Sequence, residues 1–260
     1  LLYSCGNGVE QDYSIAKVYY EKAVELNNPL GFVNLGSCYE KGHGCSKDIP
    51  RAKYCYKQAA ARSNSYGSYK LAVLYFDEKD YKEAIKYFEQ SAKLKNHKAL
   101  FHLGFIHFKG LGTPQNYLTA KNYFEECSKF NNPRAHYFLA VLYYNGMGVK
   151  NLLMAKQYFE LAAKAGNPEA FYILGRFNIN DSFFGDNVDK AIQYFLECIK
   201  YYKSSLTFES PNEDSFMTDI NINEYYYFAF NDLGLIYIIY KQDQINGEKY
   251  LQEAAFGMLP

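Results

Sequence analysis

Two patterns of apolar positions alternate along the chain, and both have the spacing of a helix. In the first, a small residue is followed four positions later by a large apolar residue and seven positions later by a second small residue. This spacing places the three side chains on one face of an amphipathic helix, which we name helix B. The pattern occurs at Ala16/Tyr20/Ala23, Ala52/Tyr56/Ala59, Ala84/Phe88/Ser91, Ala120/Phe124/Cys127, Ala155/Phe159/Ala162, Ala191/Phe195/Cys198 and, in a degenerate form, Gly247/Leu251/Ala254.

The second pattern, which we name helix A, precedes each copy of helix B after the first. A Leu has one small residue four positions before it and another directly after it. A Gly inside a helix costs about 1 kcal/mol relative to Ala, so its return directly after the Leu predicts that the backbone of a neighbouring helix lies close to it. The pattern occurs at Gly31/Leu35/Gly36, Gly67/Leu71/Ala72, Ala99/Leu103/Gly104, Ala135/Leu139/Ala140, Ala170/Leu174/Gly175 and Ala229/Leu233/Gly234.

Glycine and proline mark the ends of these helices. Gly-x-Gly follows most copies of helix A and predicts left-handed C-caps; these pairs are Gly6/Gly8, Gly42/Gly44, Gly110/Gly112 and Gly146/Gly148. Several copies of helix B are followed by Pro, which suits the first turn of the next helix A, at Pro29, Pro133 and Pro168. The third repeat has no glycine pair, and its residues 77–80 predict a shorter turn.

The period of the pattern predicts an all-α solenoid. Successive Ala anchors are separated by 36, 32, 36, 35 and 36 residues, and the last interval is 56. Helix pairs that recur near this period are typical of solenoids, in which each pair contacts its neighbours along the array. We therefore predict about seven antiparallel helix pairs in a single repeat domain over residues 1–260.

The expected repeats are a partial one at 1–29, then 30–65, 66–98, 99–134, 135–169 and 170–203, an insertion at 204–223, and a last repeat at 224–260. Because the chain begins inside a predicted helix A, we expect the array to extend upstream. The insertion is rich in Ser, Asp, Glu and Asn. We interpret it as a solvated loop; the alternative is a contact loop or a loop phosphorylated at Ser210.

These residues resemble the Sel-1-like repeat, a relative of the tetratricopeptide repeat. The second repeat shows the motif most fully, at Leu35, Gly36, Tyr39, Gly42, Gly44, Asp48, Ala52, Tyr56, Ala59 and Ala60. The resemblance covers nearly the whole chain. It departs from the motif in the short third repeat, in the sixth, where Asn178 replaces the Tyr, and in the seventh, which has neither Gly-x-Gly nor the Ala anchor.

The resemblance implies a right-handed superhelix that binds proteins. We therefore expect a non-catalytic scaffold or adaptor with a protein partner, in a monomeric array within a longer chain. Two alternatives remain: a targeting or regulatory segment of a larger signalling protein such as a kinase, and a hydrolase or haem-binding protein, since some members of the family have been proposed to act on β-lactams or to bind haem.

Composition and charge exclude other classes. The chain has 28 Lys and Arg residues and 28 Asp and Glu residues, so its formal net charge is zero. This balance argues against a positively charged surface for nucleic acid spread over the whole chain. Six acids and no Lys or Arg occur between residues 204 and 240. No apolar stretch is long enough to span a membrane, and no signal peptide is visible.

No catalytic or metal constellation emerges from the cysteines and histidines, and we expect no cofactor. None of the six cysteines forms a C-x-x-C pair. Some Sel-1-like proteins pair a cysteine of helix B with one in the next helix A, but no such partner follows Cys127 or Cys198. Reduced thiols favour a cytoplasmic location. His107 and Cys127 could form a nucleophilic pair, but both occupy packing positions, and we interpret them as core residues.

A second stripe on helix A is the candidate binding surface. It consists of the positions two residues before, two residues after and five residues after the Leu of each helix A pattern. These positions share one face of the helix, which in tetratricopeptide-type arrays lines the concave groove. The resemblance thus implies an aromatic-lined groove for a peptide or helix; alternatively, these side chains pack against the adjacent repeat. The candidate residues are Tyr69, Val73, Phe76, Phe101, Phe105, Phe108, Tyr137, Val141, Tyr144, Tyr172 and Arg176, and Ile179 completes the stripe in the sixth repeat.

Overall fold

The computed structural model describes residues 2–6, 8–148, 150–180, 187–207 and 222–256. The chain, for which the sequence predicts one domain, divides into two compact units, residues 1–127 (unit 1) and 128–260 (unit 2). Unit 1 contains α1 (Leu2–Cys5), α2 (Tyr13–Glu25), α3 (Pro29–Lys41), α4 (Ile49–Ala61), α5 (Ser65–Asp77), α6 (Tyr81–Lys93), α7 (His97–Lys109) and α8 (Tyr117–Ser128), whose last residue passes the boundary. Unit 2 contains α9 (Pro133–Asn145), α10 (Leu152–Lys164), α11 (Pro168–Asn180), α12 (Val188–Thr207), α13 (Ile222–Ile239) and α14 (Gln244–Phe256).

Consecutive helices pack against one another within each unit. The contacts run from α1 to α7 in unit 1 and from α9 to α14 in unit 2. In addition, α3 contacts α5 and α11 contacts α13, so one helix A contacts the helix A of the next repeat. This pattern of neighbouring contacts, without any strand in the described part of the chain, confirms the predicted all-α solenoid.

The predicted anchor positions form the cores of these repeats. Every Leu of the helix A pattern is buried, and so are the Ala anchors from Ala16 to Ala191 and the aromatic residues four positions after them. The residues that follow at the seventh position are also buried from Ala59 onward. The two stripes therefore face each other inside each helix pair, and each contributes to the hydrophobic stabilisation of its repeat.

In the fourth and sixth repeats the glycine directly after the Leu makes room for an aromatic ring. A Cβ atom on Gly104 would lie 2.6 Å from Cε1 of Phe124, and one on Gly175 would lie 2.6 Å from Cε1 of Phe195. In both repeats the ring belongs to the aromatic residue of helix B in the same pair. At these two glycines the close neighbour is a ring rather than the predicted backbone. A backbone neighbour does occur at Gly234, where a Cβ atom would lie 2.9 Å from the carbonyl oxygen of Gly247, and at Gly31, where it would lie 2.9 Å from the carbonyl carbon of Ala23.

Several helices end or begin at the predicted glycine and proline residues. Gly42, Gly110 and Gly146 end α3, α7 and α9 in the left-handed conformation, and Pro29 and Pro133 stand in the first turn of their helices. The third repeat instead closes its short turn with Lys79 at a φ of 62°. A non-glycine residue thus takes the left-handed position there, and Asp80 caps α6.

The insertion is shorter than the sequence predicts. Helix α12 continues to Thr207 and α13 begins at Ile222, so both ends of the predicted loop at 204–223 are helical. Residues 208–221, with the candidate phosphorylation site Ser210, lie outside the described residues, as does the departure at 182–185. Among the described helices, none has the length and apolar character needed to cross a bilayer.

Candidate partner-binding site

The predicted stripe on helix A divides into buried and accessible members. Five of its side chains are buried, namely Tyr69, Phe76, Phe101, Phe105 and Tyr172. Val73, Phe108, Tyr137 and Val141 are half-buried, and Tyr144 and Arg176 are exposed. Four of the five buried residues belong to unit 1. In that unit the side chains of the stripe are therefore mostly packed inside the repeats.

A repeated ring contact explains the burial at the position two before each Leu. Tyr69 packs on Phe88 with a centroid distance of 6.1 Å, and Phe101 packs on Phe124 at 5.8 Å. The same contact recurs in unit 2, where Tyr137 meets Phe159 at 5.9 Å and Tyr172 meets Phe195 at 5.7 Å. Each ring is thus partly used to cover the helix B aromatic of its own repeat.

In unit 1 a histidine of α7 packs on aromatic rings of α5 and α6. The ring of His102 stacks on Phe88 at 4.7 Å and meets the edge of Phe76 at 6.2 Å and of Tyr69 at 5.4 Å. His102 is buried, and its Nδ1 lies 2.8 Å from the carbonyl oxygen of Lys98. The aromatic residues of the stripe here form a closed cluster around an imidazole.

In unit 2 the same stripe borders a cavity of about 460 Å³. Its walls come from α9, α10 and α11. Five of the predicted groove residues line it, Tyr137, Val141, Tyr144, Tyr172 and Arg176, together with Asn145, Phe159, Ile173 and Phe177. The walls are mainly apolar, with a guanidinium, an amide and tyrosine hydroxyls among them, which is the usual character of a ligand-binding cleft.

A polar cluster lies at the edge of this cavity. Nη1 of Arg176 donates to the Tyr172 hydroxyl at 3.1 Å and lies 3.4 Å from Oδ2 of Asp232, and the Tyr172 hydroxyl donates to the same oxygen at 3.3 Å. Burial and the nearby Asp232 charge raise the pKa of Tyr172 to about 12. Burial also raises the pKa of Asp232, although Arg176 opposes this effect. The hydroxyl therefore stays protonated at neutral pH.

Arg176 also borders a second cavity, of about 360 Å³. The other residues that line it are Ile179, Asp232, Leu235, Ile236, Ile239 and Tyr240. Apart from Arg176 and Ile179, they belong to the segment that begins with α13, beyond the insertion. The sequence pattern did not single out these α13 residues as a surface, although the run Leu-Ile-Tyr-Ile-Ile-Tyr is apolar on both faces of the helix.

A half-buried carboxyl, that of Glu169, lies at the start of α11. Burial raises the pKa of Glu169, against the effect of Arg134 and of a hydrogen bond in which the Asn167 amide donates to the carboxylate at 2.6 Å. The Tyr137 hydroxyl interacts with Tyr225 of α13, and its pKa is raised by burial. Helices α9, α11 and α13 are thus connected by polar side chains as well as by apolar packing.

The candidate nucleophilic pair is not assembled. His107 stacks on Tyr123 at 5.8 Å, whereas the Cys127 thiol donates to the carbonyl oxygen of His97 at 3.2 Å. Burial raises the pKa of Cys127 to about 12, so the thiolate needed for attack is scarce at neutral pH. All six cysteines are free thiols. Within the described residues, no group of three or more His, Cys, Asp and Glu side chains is placed to hold a metal ion.

The fold and the repeat geometry define a tetratricopeptide-like protein built of helix pairs. The Sel1 repeat profile matches residues 1–28, 33–64, 97–126 and 133–167, and the tetratricopeptide repeat profile matches residues 65–98. The four Sel1 matches and the tetratricopeptide match together cover more than half of the chain. They show a Sel1-like, tetratricopeptide-like repeat protein, and such repeat proteins are generally protein-interaction scaffolds and typically non-catalytic.

Solved structures show the same fold. A Sel1 repeat protein from Oxalobacter formigenes superposes with a TM-score of 0.76 at 23% identity, over 98% of this chain and 96% of that protein. The C-terminal part of a TPR repeat-containing protein from Cytophaga hutchinsonii gives 0.56 at 14% identity, over 100% and 97%. An immunity protein from Pseudomonas aeruginosa gives 0.51 at 22% identity, over 75% and 78%. A search of curated proteins finds no match.

Proposed function

We propose that this chain is a non-catalytic scaffold that binds a segment of a partner protein, as a peptide or a helix, in the cavity formed by α9, α10 and α11. The observation that carries the proposal is the convergence of five stripe residues on one cavity in unit 2. Its volume lies within the range of about 300–1,000 Å³ that is common for ligand sites.

The exposed wall of the cavity suits an apolar side chain of a partner. Tyr144 is 38% exposed, and its ring packs on Phe177 at 5.2 Å. Phe177 in turn meets the edge of Phe159 at 5.6 Å. The Tyr144 ring thus packs on a second ring that is itself held by a third. An aromatic residue restrained in this way loses little side-chain freedom on binding, which favours its use as a contact residue.

Selection from a library of short random peptides displayed on phage tests this function. Peptides enriched on the immobilised protein are synthesised, and their affinity is measured by fluorescence anisotropy. We expect Tyr144→Ser to weaken binding about tenfold or more, because it removes one wall of the cavity. Leu161→Ser is the matched control, since Leu161 is similarly exposed on α10 and does not line the cavity.

Circular dichroism establishes that both variants remain helical. If no peptide is enriched, or if both variants bind the enriched peptides as well as the natural sequence does, the proposed site is wrong.

A further inference from the structure

Arg176 lines both of the unit 2 cavities described above. Among the described residues, it is the single charged residue lining the first cavity, and Asp232 is the other charged residue lining the second. The side chain of Arg176 is 46% exposed, whereas that of Asp232 is 14% exposed. A molecule that enters from solvent therefore meets the guanidinium first and finds the carboxylate largely covered.

The guanidinium keeps donors for a ligand. In the part of the chain that the structure describes, the hydrogen bonds of Arg176 run through Nη1, to Tyr172 and Asp232. Arginine carries five N–H donors in a planar fork that matches the two oxygens of a carboxylate. The remaining N–H groups can thus bind an anion without breaking the contacts that hold the side chain in place.

Apolar surface flanks the guanidinium on both sides. The first cavity offers Val141, Ile173 and Phe177. The second offers Leu235, Ile239 and Tyr240, and Ile239 is 62% exposed. A cationic ligand is disfavoured at the centre of this surface, because Asp232 already accepts from Arg176 and Tyr172 and because Arg176 repels a second positive charge.

We propose that the partner segment carries an Asp or Glu side chain that binds Arg176, with an apolar side chain on either side of it, one in each cavity. This inference rests on the proposed function and names the chemistry of the partner. Arg176 selects the partner through its charge, and the two cavities contribute apolar burial. The apolar–acidic–apolar order follows from the order of the two cavities around Arg176.

Three matched peptide libraries test the proposal. Their flanking positions are randomised among apolar residues, and the central residue is fixed as Glu, Gln or Lys. On the natural protein we expect the Glu library to be enriched and its peptides to bind about tenfold more tightly than their Gln counterparts, since a charge-assisted hydrogen bond is stronger than a neutral one. Added NaCl should reduce this preference because the site is partly exposed.

Variants of the arginine separate charge from shape. Arg176→Gln should remove the preference for Glu over Gln, and Arg176→Glu should transfer the preference to the Lys library. Lys164→Gln is the control, because it removes an exposed cation of α10 that lines neither cavity. Enrichment of the Gln or Lys library on the natural protein would overturn this inference and leave the proposed function intact. Failure of all three libraries, and of the random library, would overturn both.

Discussion

The helix A stripe has two different structures at equivalent repeat positions of the two units. In unit 1, Phe76 is 9% exposed and packs near His102, whereas its counterpart in unit 2, Tyr144, is 38% exposed at the rim of a cavity. The residues at two equivalent positions of the repeat that follows Phe76 or Tyr144 differ as well. Ile173 occupies the position of His102, and Arg176 occupies the position of Phe105.

These two replacements explain the difference in physical terms. The His102 ring stacks on the helix B aromatic Phe88, while the smaller Ile173 cannot stack on Phe159. Phe105 is buried, whereas the side chain of Arg176 is 46% exposed because burying a guanidinium is costly. One repeat pattern therefore gives a packed cluster in one unit and a cavity in the other, and the difference depends on side chains that the repeat motif leaves variable.

The largest expected effect is on stability, where the two stripes should respond differently to truncation. Phe76→Ala should cost about 3–5 kcal/mol, because it leaves a hole in a packed cluster. Tyr144→Ala should cost roughly 1 kcal/mol, because its ring already borders a cavity. Chemical denaturation, with hydrogen exchange to locate the loss, measures both.

A core deletion in unit 2 controls for a general tolerance of that unit. Leu139 is fully buried, and Leu139→Ala should cost about 2–5 kcal/mol and loosen mainly the repeats around it. Equal costs for Phe76→Ala and Tyr144→Ala would show that the two stripes are packed alike, and uniform loss of protection along the chain would contradict the solenoid energetics.

The next largest effect is on peptide binding. The experiment exchanges, between the two units, the residues at the two repeat positions that distinguish them. Ile173→His with Arg176→Phe should fill the cavity of unit 2 and weaken the selected peptides about tenfold or more, which is about 1.4 kcal/mol. The reverse pair in unit 1, His102→Ile with Phe105→Arg, should open a cavity that binds xenon, detected by xenon NMR. Unchanged peptide binding in the first variant would mean that other side chains create the site.

The fold was predictable because its determinants are local. In the fourth repeat, for example, Leu103, Ala120 and Phe124 occupy the positions that recur along the chain, and Gly110 and Pro133 mark helix ends. Each repeat can therefore be recognised within about 36 residues of sequence. The role of Gly104 was predictable only in part. Its recurrence indicates a close neighbour, but whether that neighbour is a backbone or a ring depends on the orientation of Phe124, which the spacing does not encode.

For the candidate site, the sequence indicates the face of helix A on which the residues lie, but not which of them are accessible. Helical spacing assigns the stripe positions to one side of helix A, and five of them line the unit 2 cavity. Burial of Tyr69 and Phe101 could not be derived, because it depends on packing against helix B. Asp232 was missed because it lies 56 residues after Arg176, beyond an insertion that breaks the repeat period and hides the register of α13 against α11.

The smallest expected effect is a pH dependence of opposite sign at two residues, His107 and Glu169. Burial lowers the pKa of His107 below its usual value of 6.5, although Glu89 opposes this. The unfolded chain therefore binds the proton more tightly, and the stability contributed by His107 is fully present above about pH 6.5 and is lost as the pH falls toward its folded pKa. For Glu169, burial raises the pKa above 4.5. Its contribution is fully present below about pH 4.5 and is lost as the pH rises through its folded pKa.

Two variants isolate these contributions. His107→Tyr restores the residue found at this position in the second, third and fifth repeats and keeps a ring on Tyr123, and Glu169→Gln keeps the shape of the carboxyl. Denaturation midpoints measured between about pH 4 and pH 8 should show the His107 variant gaining relative stability toward acid, where the natural protein loses it. The Glu169 variant should gain relative stability toward neutral pH instead. Parallel pH profiles for the natural protein and both variants would show that neither group is buried enough to couple its proton to folding. A change of the same sign in both variants would contradict the opposite pKa shifts of His107 and Glu169.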